Sequence, residues 1–179
     1  MKKIIWTFGL ISGAIMAVFM VATVPFMNDH GANSLVVGYA GMVAAFLLVY
    51  FGVRSYRDKV LGGTISFGRA FGAGILIAAI ASLCYVATWE VIYYNFMPDF
   101  YAKYGQSVVE QARKNGKSEA DVAKVRAEMD TMVKRVENPL FVTAATFGEP
   151  FPVGLVIALV SAGVLRRKRV EHAAAFATA

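Results

Sequence analysis

The sequence predicts an all-α, polytopic membrane protein: four transmembrane helices, with an extracytoplasmic helical hairpin between the third and the fourth. Three observations carry this. Four long apolar blocks, at about 4–27, 35–53, 71–96 and 140–165, divide the chain, and each is close to or above the roughly 20 residues that a helix needs to cross a bilayer. Lys and Arg gather at the ends of those blocks, as residues that set membrane orientation do. One polar stretch, 98–138, interrupts the pattern with alternating charge and helical spacing. The 179 residues then form a single membrane domain carrying that stretch as an insert. Composition agrees, at 58% hydrophobic and 17% charged, where a soluble domain has about 45–50% and 25%.

The first block follows Met1-Lys2-Lys3. It is longer than a signal-peptide core and no Ala-x-Ala site closes it, so it reads as a retained span. Gly9-x-x-x-Gly13 near its start admits a closely packed neighbour. A polar turn, Asn28 to Ser34, contains Asp29 and His30; two adjacent ligand types without a third make a weak metal site. The second block ends at Arg54, where a basic connector begins. Its Gly62-Gly63-Thr64-Ile65-Ser66-Phe67-Gly68 lacks the Gly-Lys-Ser/Thr ending of a phosphate loop. It reads as a flexible turn, with Ser66 as N-cap of the next helix and Gly68-x-x-x-Gly72 as a second packing face.

The third block ends in aromatics, Tyr85, Trp89, Tyr93, Tyr94 and Phe96, which collect at membrane interfaces. After Pro98-Asp99 the spacing predicts a helix with Phe100, Tyr104, Val108 and Gln111/Ala112 on one face, broken at Asn115-Gly116-Lys117. Ser118-Glu119-Ala120-Asp121 opens a second helix as a capping-box variant. Val122, Val125, Met129, Met132 and Val136 recur on it at spacings of 3 and 4, as a packing seam does. Asn138-Pro139 starts the last span.

Charge predicts which ends share a side. Ten cations, from residues 2–3, 54–69 and 166–169, lie on one side against Asp58 and Glu171. The hairpin's eight are interleaved with acids and weigh less in the positive-inside rule. Both termini are expected in the cytoplasm and the hairpin outside, periplasmic if the host membrane is a bacterial inner membrane. The net charge of +6 does not indicate nucleic acid, because no basic stripe with interleaved aromatics is present. Cys84, the single cysteine, lies mid-span and reads as a small buried apolar residue.

The candidate site is a polar pocket of Glu90, Glu149, Trp89, Tyr93, Pro150 and Pro152. An ionisable residue in a span is a functional hypothesis by default. Counted from Arg69 and Arg166, Glu90 and Glu149 lie 21 and 17 residues inward, roughly 31 and 26 Å. Both are thus expected just within or at the outer boundary, either as hydrated interfacial residues or facing one pocket with Trp89 and Tyr93 on its rim. Pro150 and Pro152 lack N–H groups, which frees the carbonyls of Thr146 and Gly148.

Gly63-Thr64-Ile65-Ser66-Phe67-Gly68, Met97-Pro98-Asp99-Phe100 and Glu149-Pro150-Phe151-Pro152-Val153-Gly154-Leu155 occur in that order. In this the chain resembles, over almost its whole length, the bacterial membrane proteins grouped as domain of unknown function 4199. The resemblance implies a four-span bacterial membrane protein and brings no activity, cofactor or catalytic residue with it.

Two function classes remain. The first is a non-enzymatic binding or scaffolding component that uses the hairpin, with Met129 and Met132 able to repack against a membrane or periplasmic protein. The second is a small ion- or proton-coupled permease using Glu90 and Glu149, which with four spans requires a homo-oligomer. An enzyme is not expected: no His lies in a span, and neither His-Glu-x-x-His nor Gly-x-Ser-x-Gly occurs. No cofactor or metal is expected either, and the lipid bilayer is the first partner.

Overall fold

The computed structural model describes residues 1–24 and 32–167. The end of the first apolar block, the Asp29-His30 part of the polar turn, and Lys168, Arg169 and Glu171 lie outside them. The described chain is helical throughout: α1 Lys2–Thr23, α2 Ala32–Val60, α3 Phe67–Phe96, α4 Phe100–Lys114, α5 Glu119–Val136, α6 Pro139–Gly148 and α7 Pro150–Leu165. Four stretches are long and apolar enough to cross a membrane: α1, Gly38–Val60 of α2, α3, and Pro139–Leu165, which joins α6 and α7.

α3 is the central helix. It packs most extensively on α1 and on α7, while α2 closes the bundle against all three. Phe46, Val49, Val53, Ile77, Ala81, Ala158 and Ala162 form the dry interior. The outward faces are equally apolar, with Val18, Leu47, Leu83, Val160 and Val164 exposed, as expected where the solvent is lipid. Burial in lipid gains little hydrophobic free energy, so association rests on close packing of small residues. A Cβ added at Gly13 would lie 2.5 Å from Cys84 Cβ, and one at Gly9 2.8 Å from Ile80. One at Gly74 would meet Ala158 at 2.8 Å, and one at Gly154 would meet Ala78 at 2.8 Å. The Gly9-x-x-x-Gly13 face therefore does admit a neighbour, which is α3. Gly68 and Gly72 do not form such a face, because both are exposed with open space where a side chain would sit. They lie on the side of α3 turned away from the packed face that Ala70, Ala73 and Gly74 present.

The basic connector is shorter than expected. α2 continues past Arg54 to Val60, helped by the Arg54–Asp58 pair at i,i+4 and by Arg57 and Lys59 in its last turn. Gly62 (φ 65°) and Gly63 (φ 90°) then turn the chain in a conformation that side chains resist. The turn is pinned where a flexible one was expected. Ile65 and Arg167 exchange backbone hydrogen bonds of 3.2 and 3.0 Å, tying the connector to the end of α7. Ser66 is the N-cap residue of α3, although its side chain makes no capping bond.

α4 and α5 form an antiparallel hairpin closed at Gly116 (φ 71°). Ser118 Oγ accepts from the Asp121 N–H at 3.2 Å and donates to Asp121 Oδ2 at 2.7 Å, closing the expected cap. The seam on α5 is as the spacing predicts, with Val122 and Val136 buried and Val125, Met129 and Met132 half-buried. On α4 the buried line is Gly105, Val109 and Ala112, one residue on from the expected Tyr104 and Val108. Gly105 decides this rotation, since a Cβ there would stand 3.2 Å from Met129 Cβ.

Two outcomes check this packing. Gly13→Val is expected to lower the melting temperature in detergent, because overpacking a closed contact costs about 1–3 kcal/mol, while Gly72→Ala leaves it unchanged. Val122→Asp places a carboxylate in the hairpin seam at a cost of several kcal/mol. Limited proteolysis at Asn115-Gly116 should then accelerate, with the four spans remaining resistant.

Candidate functional site

Where the C-terminal ends of α1 and α3 meet the base of the hairpin, Met20, Trp89, Ile92, Tyr93, Val136 and Val142 form a second buried cluster. Phe100 and Tyr101 pack onto it from α4. The Trp89 ring meets Phe100 edge-on at 4.9 Å, and Tyr93 meets Tyr101 edge-on at 5.1 Å. Edge-to-face contacts at these separations favour both rings beyond simple burial. Trp89 and Tyr93 are thus packed, at 7% and 8% exposure, and fasten the hairpin to the bundle; the expected place on a pocket rim is not theirs.

Of the two carboxylates Glu90 stands level with this collar and Glu149 below it, each bonded to a hydroxyl on the neighbouring helix. Glu90 of α3 accepts from the Thr143 hydroxyl of α6, which also stands 3.0 Å from the Pro139 carbonyl. Glu149, at the α6–α7 junction, accepts from the Tyr85 hydroxyl of α3 at 3.0 Å. The pairs 90/143 and 85/149 follow one antiparallel register along the α3 seam. Burial pushes the Tyr101 phenol up, with a smaller contribution from the nearby Glu149 charge.

The helix breakers act unequally. Pro150 is fully buried, whereas Pro152 is exposed. With Pro150 unable to donate, the Thr146 carbonyl takes the Glu149 N–H instead, at 3.4 Å. Pro152 likewise has no N–H to offer the Gly148 carbonyl.

The register also revises the depths. Gly9 meets Ile80 and Gly13 meets Cys84, both 71 residues apart, so α1 and α3 run parallel and Lys3 stands level with Gly74. Tyr85, and Glu149 with it, is eleven residues above that level, about 17 Å. From the other side, Glu149 is eleven residues from Asn138, the N-cap of α6, again about 17 Å. In a hydrocarbon core about 30 Å thick, Glu149 is close to the midplane. Glu90, five residues beyond Tyr85 on α3, is about 7.5 Å nearer the hairpin. The two carboxylates therefore share a seam but neither a level nor a partner. Counting from Arg69 and Arg166 gives a greater height because both lie farther from the hairpin than Lys3 does.

Tyr85, Thr143 and Tyr101 are the residues that the sequence reading missed as partners. Tyr85 reads as one more belt aromatic, and Thr143 carries no signal until α3 and the last span are set antiparallel in this register. Among the described residues no group of three or more His, Cys, Asp or Glu is placed to hold a metal ion.

The family model described as "Protein of unknown function (DUF4199)" matches residues 7–167. No curated protein and no solved structure matches the chain. The matched stretch takes in the first candidate span from residue 7 onward, the other three spans, the hairpin and both carboxylates, and the chain belongs to the DUF4199 family of proteins of unknown function.

Proposed function

We propose that the chain is a non-enzymatic integral membrane protein that holds a protein partner through its extramembrane hairpin. The observation that carries this reading is the joint at the hairpin's base. A polar module that only covered the bundle would need no such fixation. Here Trp89, Tyr93, Phe100 and Tyr101 stack together and Val136 packs among them, so α4 and α5 leave the bundle in a set direction. The arm reaches about 22 Å along the 15 residues of α4. On its α5 side, Arg113, Glu119, Arg126 and Asp130 rim a groove of about 260 Å³ floored by Val122, Ala123 and Ala127. Charges of both signs around a small apolar floor suit a partner helix carrying complementary charges.

In this reading the membrane is a bacterial inner membrane, the hairpin is periplasmic, and both termini are cytoplasmic. Support comes from the cations at residues 2–3, 54–69 and 166–167, which the fold gathers at one end of the bundle, opposite the hairpin. Arg54 and Arg57 share Asp58, at 3.6 and 2.6 Å, and leave that end strongly positive.

Two measurements test the proposal. A reporter active only in the periplasm should be active when fused after Gly116 and silent after Lys59; the reverse pattern overturns the topology. Arg126→Glu should leave the amount and melting temperature of the protein unchanged and reduce the partner recovered by mild-detergent purification about tenfold, in line with the loss of a charge pair worth about 1.4 kcal/mol. An unchanged set of co-purifying proteins after both Arg126→Glu and replacement of residues 103–134 by a short Gly/Ser link overturns the binding role.

A further inference from the structure

We propose that Glu149 is the core of a binding site for one monovalent cation, a proton or an alkali ion, near the middle of the bilayer. This goes beyond the hairpin reading and does not depend on it. The depth comes first. Eleven residues separate Glu149 from the α6 N-cap, and the α1–α3 register leaves the same number between its partner Tyr85 and the level of Lys3. An ionisable side chain at that depth is costly unless something neutralises it.

The protein supplies no neutralising charge. Among the described residues none of the ion pairs includes Glu149. The groups that face it are Tyr85 from α3 and Tyr101 from α4, with Tyr39 of α2 acting on Tyr85; all are phenols. Glu90, the nearest other acid along the seam, is taken up by Thr143. Glu149 itself is exposed at the bundle surface and uses one oxygen, Oε2, in its bond from Tyr85. Oε1 is left to a ligand.

Other oxygens lie near. The Gly148 carbonyl, adjacent in sequence, has lost its usual helical donor to Pro152. Ala78, Ser82 and Tyr85 form one stripe on the α3 face against α7, and Ser82 lies three residues below Tyr85. Its hydroxyl is fully buried and is, among the described residues, the only buried side-chain oxygen or nitrogen without a hydrogen-bond partner. An unpaired buried hydroxyl one turn along α3 from the tyrosine that holds an unneutralised carboxyl is what a cation or its water would satisfy. A single carboxylate, with no further acid in reach to make a metal cluster, matches one positive charge and not two.

Dicyclohexylcarbodiimide tests this on the full chain in lipid nanodiscs. The reagent enters apolar regions and forms a stable adduct with carboxyls that carry a proton. Intact mass and peptide mapping should show one adduct, at Glu149, whose rate falls as pH rises. Glu149→Gln should abolish it and Glu90→Gln should leave it in place. Tyr85→Phe, which keeps the ring packed, should shift the pH profile without lowering the melting temperature. Slowing by sodium or potassium at fixed pH identifies an alkali ion as the ligand; indifference to both identifies the proton. No adduct at Glu149 at any pH, or labelling of Glu149 no faster than of the exposed hairpin acids Glu110 and Glu128, overturns the site. Because the wild-type map alone can give that result, the test survives a Glu149→Gln variant that fails to fold.

Discussion

The close contact of α3 with α1 on one side and α7 on the other is the constraint on which the rest of this structure depends. Lipid offers no hydrophobic gain for bringing these helices together, so their association must come from dispersion between closely spaced surfaces. That requires positions with no side chain. Gly9 and Gly13 let α1 reach Ile80 and Cys84, and Gly74 and Gly154 let α3 and α7 meet across Ala158 and Ala78. Interdigitation at four points also sets the register. A shift of one residue would drive a Cβ-bearing position into each contact, so sliding is penalised everywhere at once.

From that register follow the two ends of the molecule. At the hairpin end it lifts Trp89 and Tyr93 to the height where Phe100 and Tyr101 return from the Met97-Pro98-Asp99 turn, and the hairpin is held by stacked rings. At the inner end it brings the α2–α3 connector against the last residues of α7, where Ile65 and Arg167 exchange two backbone bonds. The bundle is therefore fastened by aromatic packing at one face of the membrane and by backbone pairing at the other. Between these ends its polar contacts are few: Ser12 Oγ donating to the Ala45 carbonyl at 2.8 Å, and the two carboxylate–hydroxyl pairs.

What the sequence made legible is what local pattern governs. Apolar length identified the spans, the Ser118 cap and the 3/4 spacing identified α5, and Asn138-Pro139 identified the start of α6, whose Asn138 side chain accepts from the Leu140 N–H at 3.0 Å. Glycines were ambiguous, because the same spacing describes Gly9/Gly13, which pack, and Gly68/Gly72, which do not; only the facing helix distinguishes them. The candidate site was half legible. A carboxylate beside two prolines announces itself, but its depth depends on register between helices, which no single span encodes. Trp89 and Tyr93 failed as rim residues for the same reason: aromatic character places a residue at the interface, and tertiary contact decides whether it faces water or another ring.

The break at Glu149 also has a structural reason, apart from any ligand. α7 packs against α3 and α2, whereas α6 packs against α3 and α5. The last span must therefore exchange one neighbour for another partway across the membrane while staying on the α3 seam. A continuous helix keeps the same residues on the same face for its whole length, which suits one set of neighbours. Pro150, fully buried, removes one helical bond at the point of exchange, and the 3.4 Å bond from the Glu149 N–H to the Thr146 carbonyl takes up part of the deficit with a shorter i,i+3 step. The residue at such a step is turned out of the regular ladder. In a dry bundle an apolar side chain would serve there at lower cost. A glutamate at this position, bonded on one oxygen and open on the other, is a departure from what packing requires, and the proposed cation site is argued from that excess over structural need.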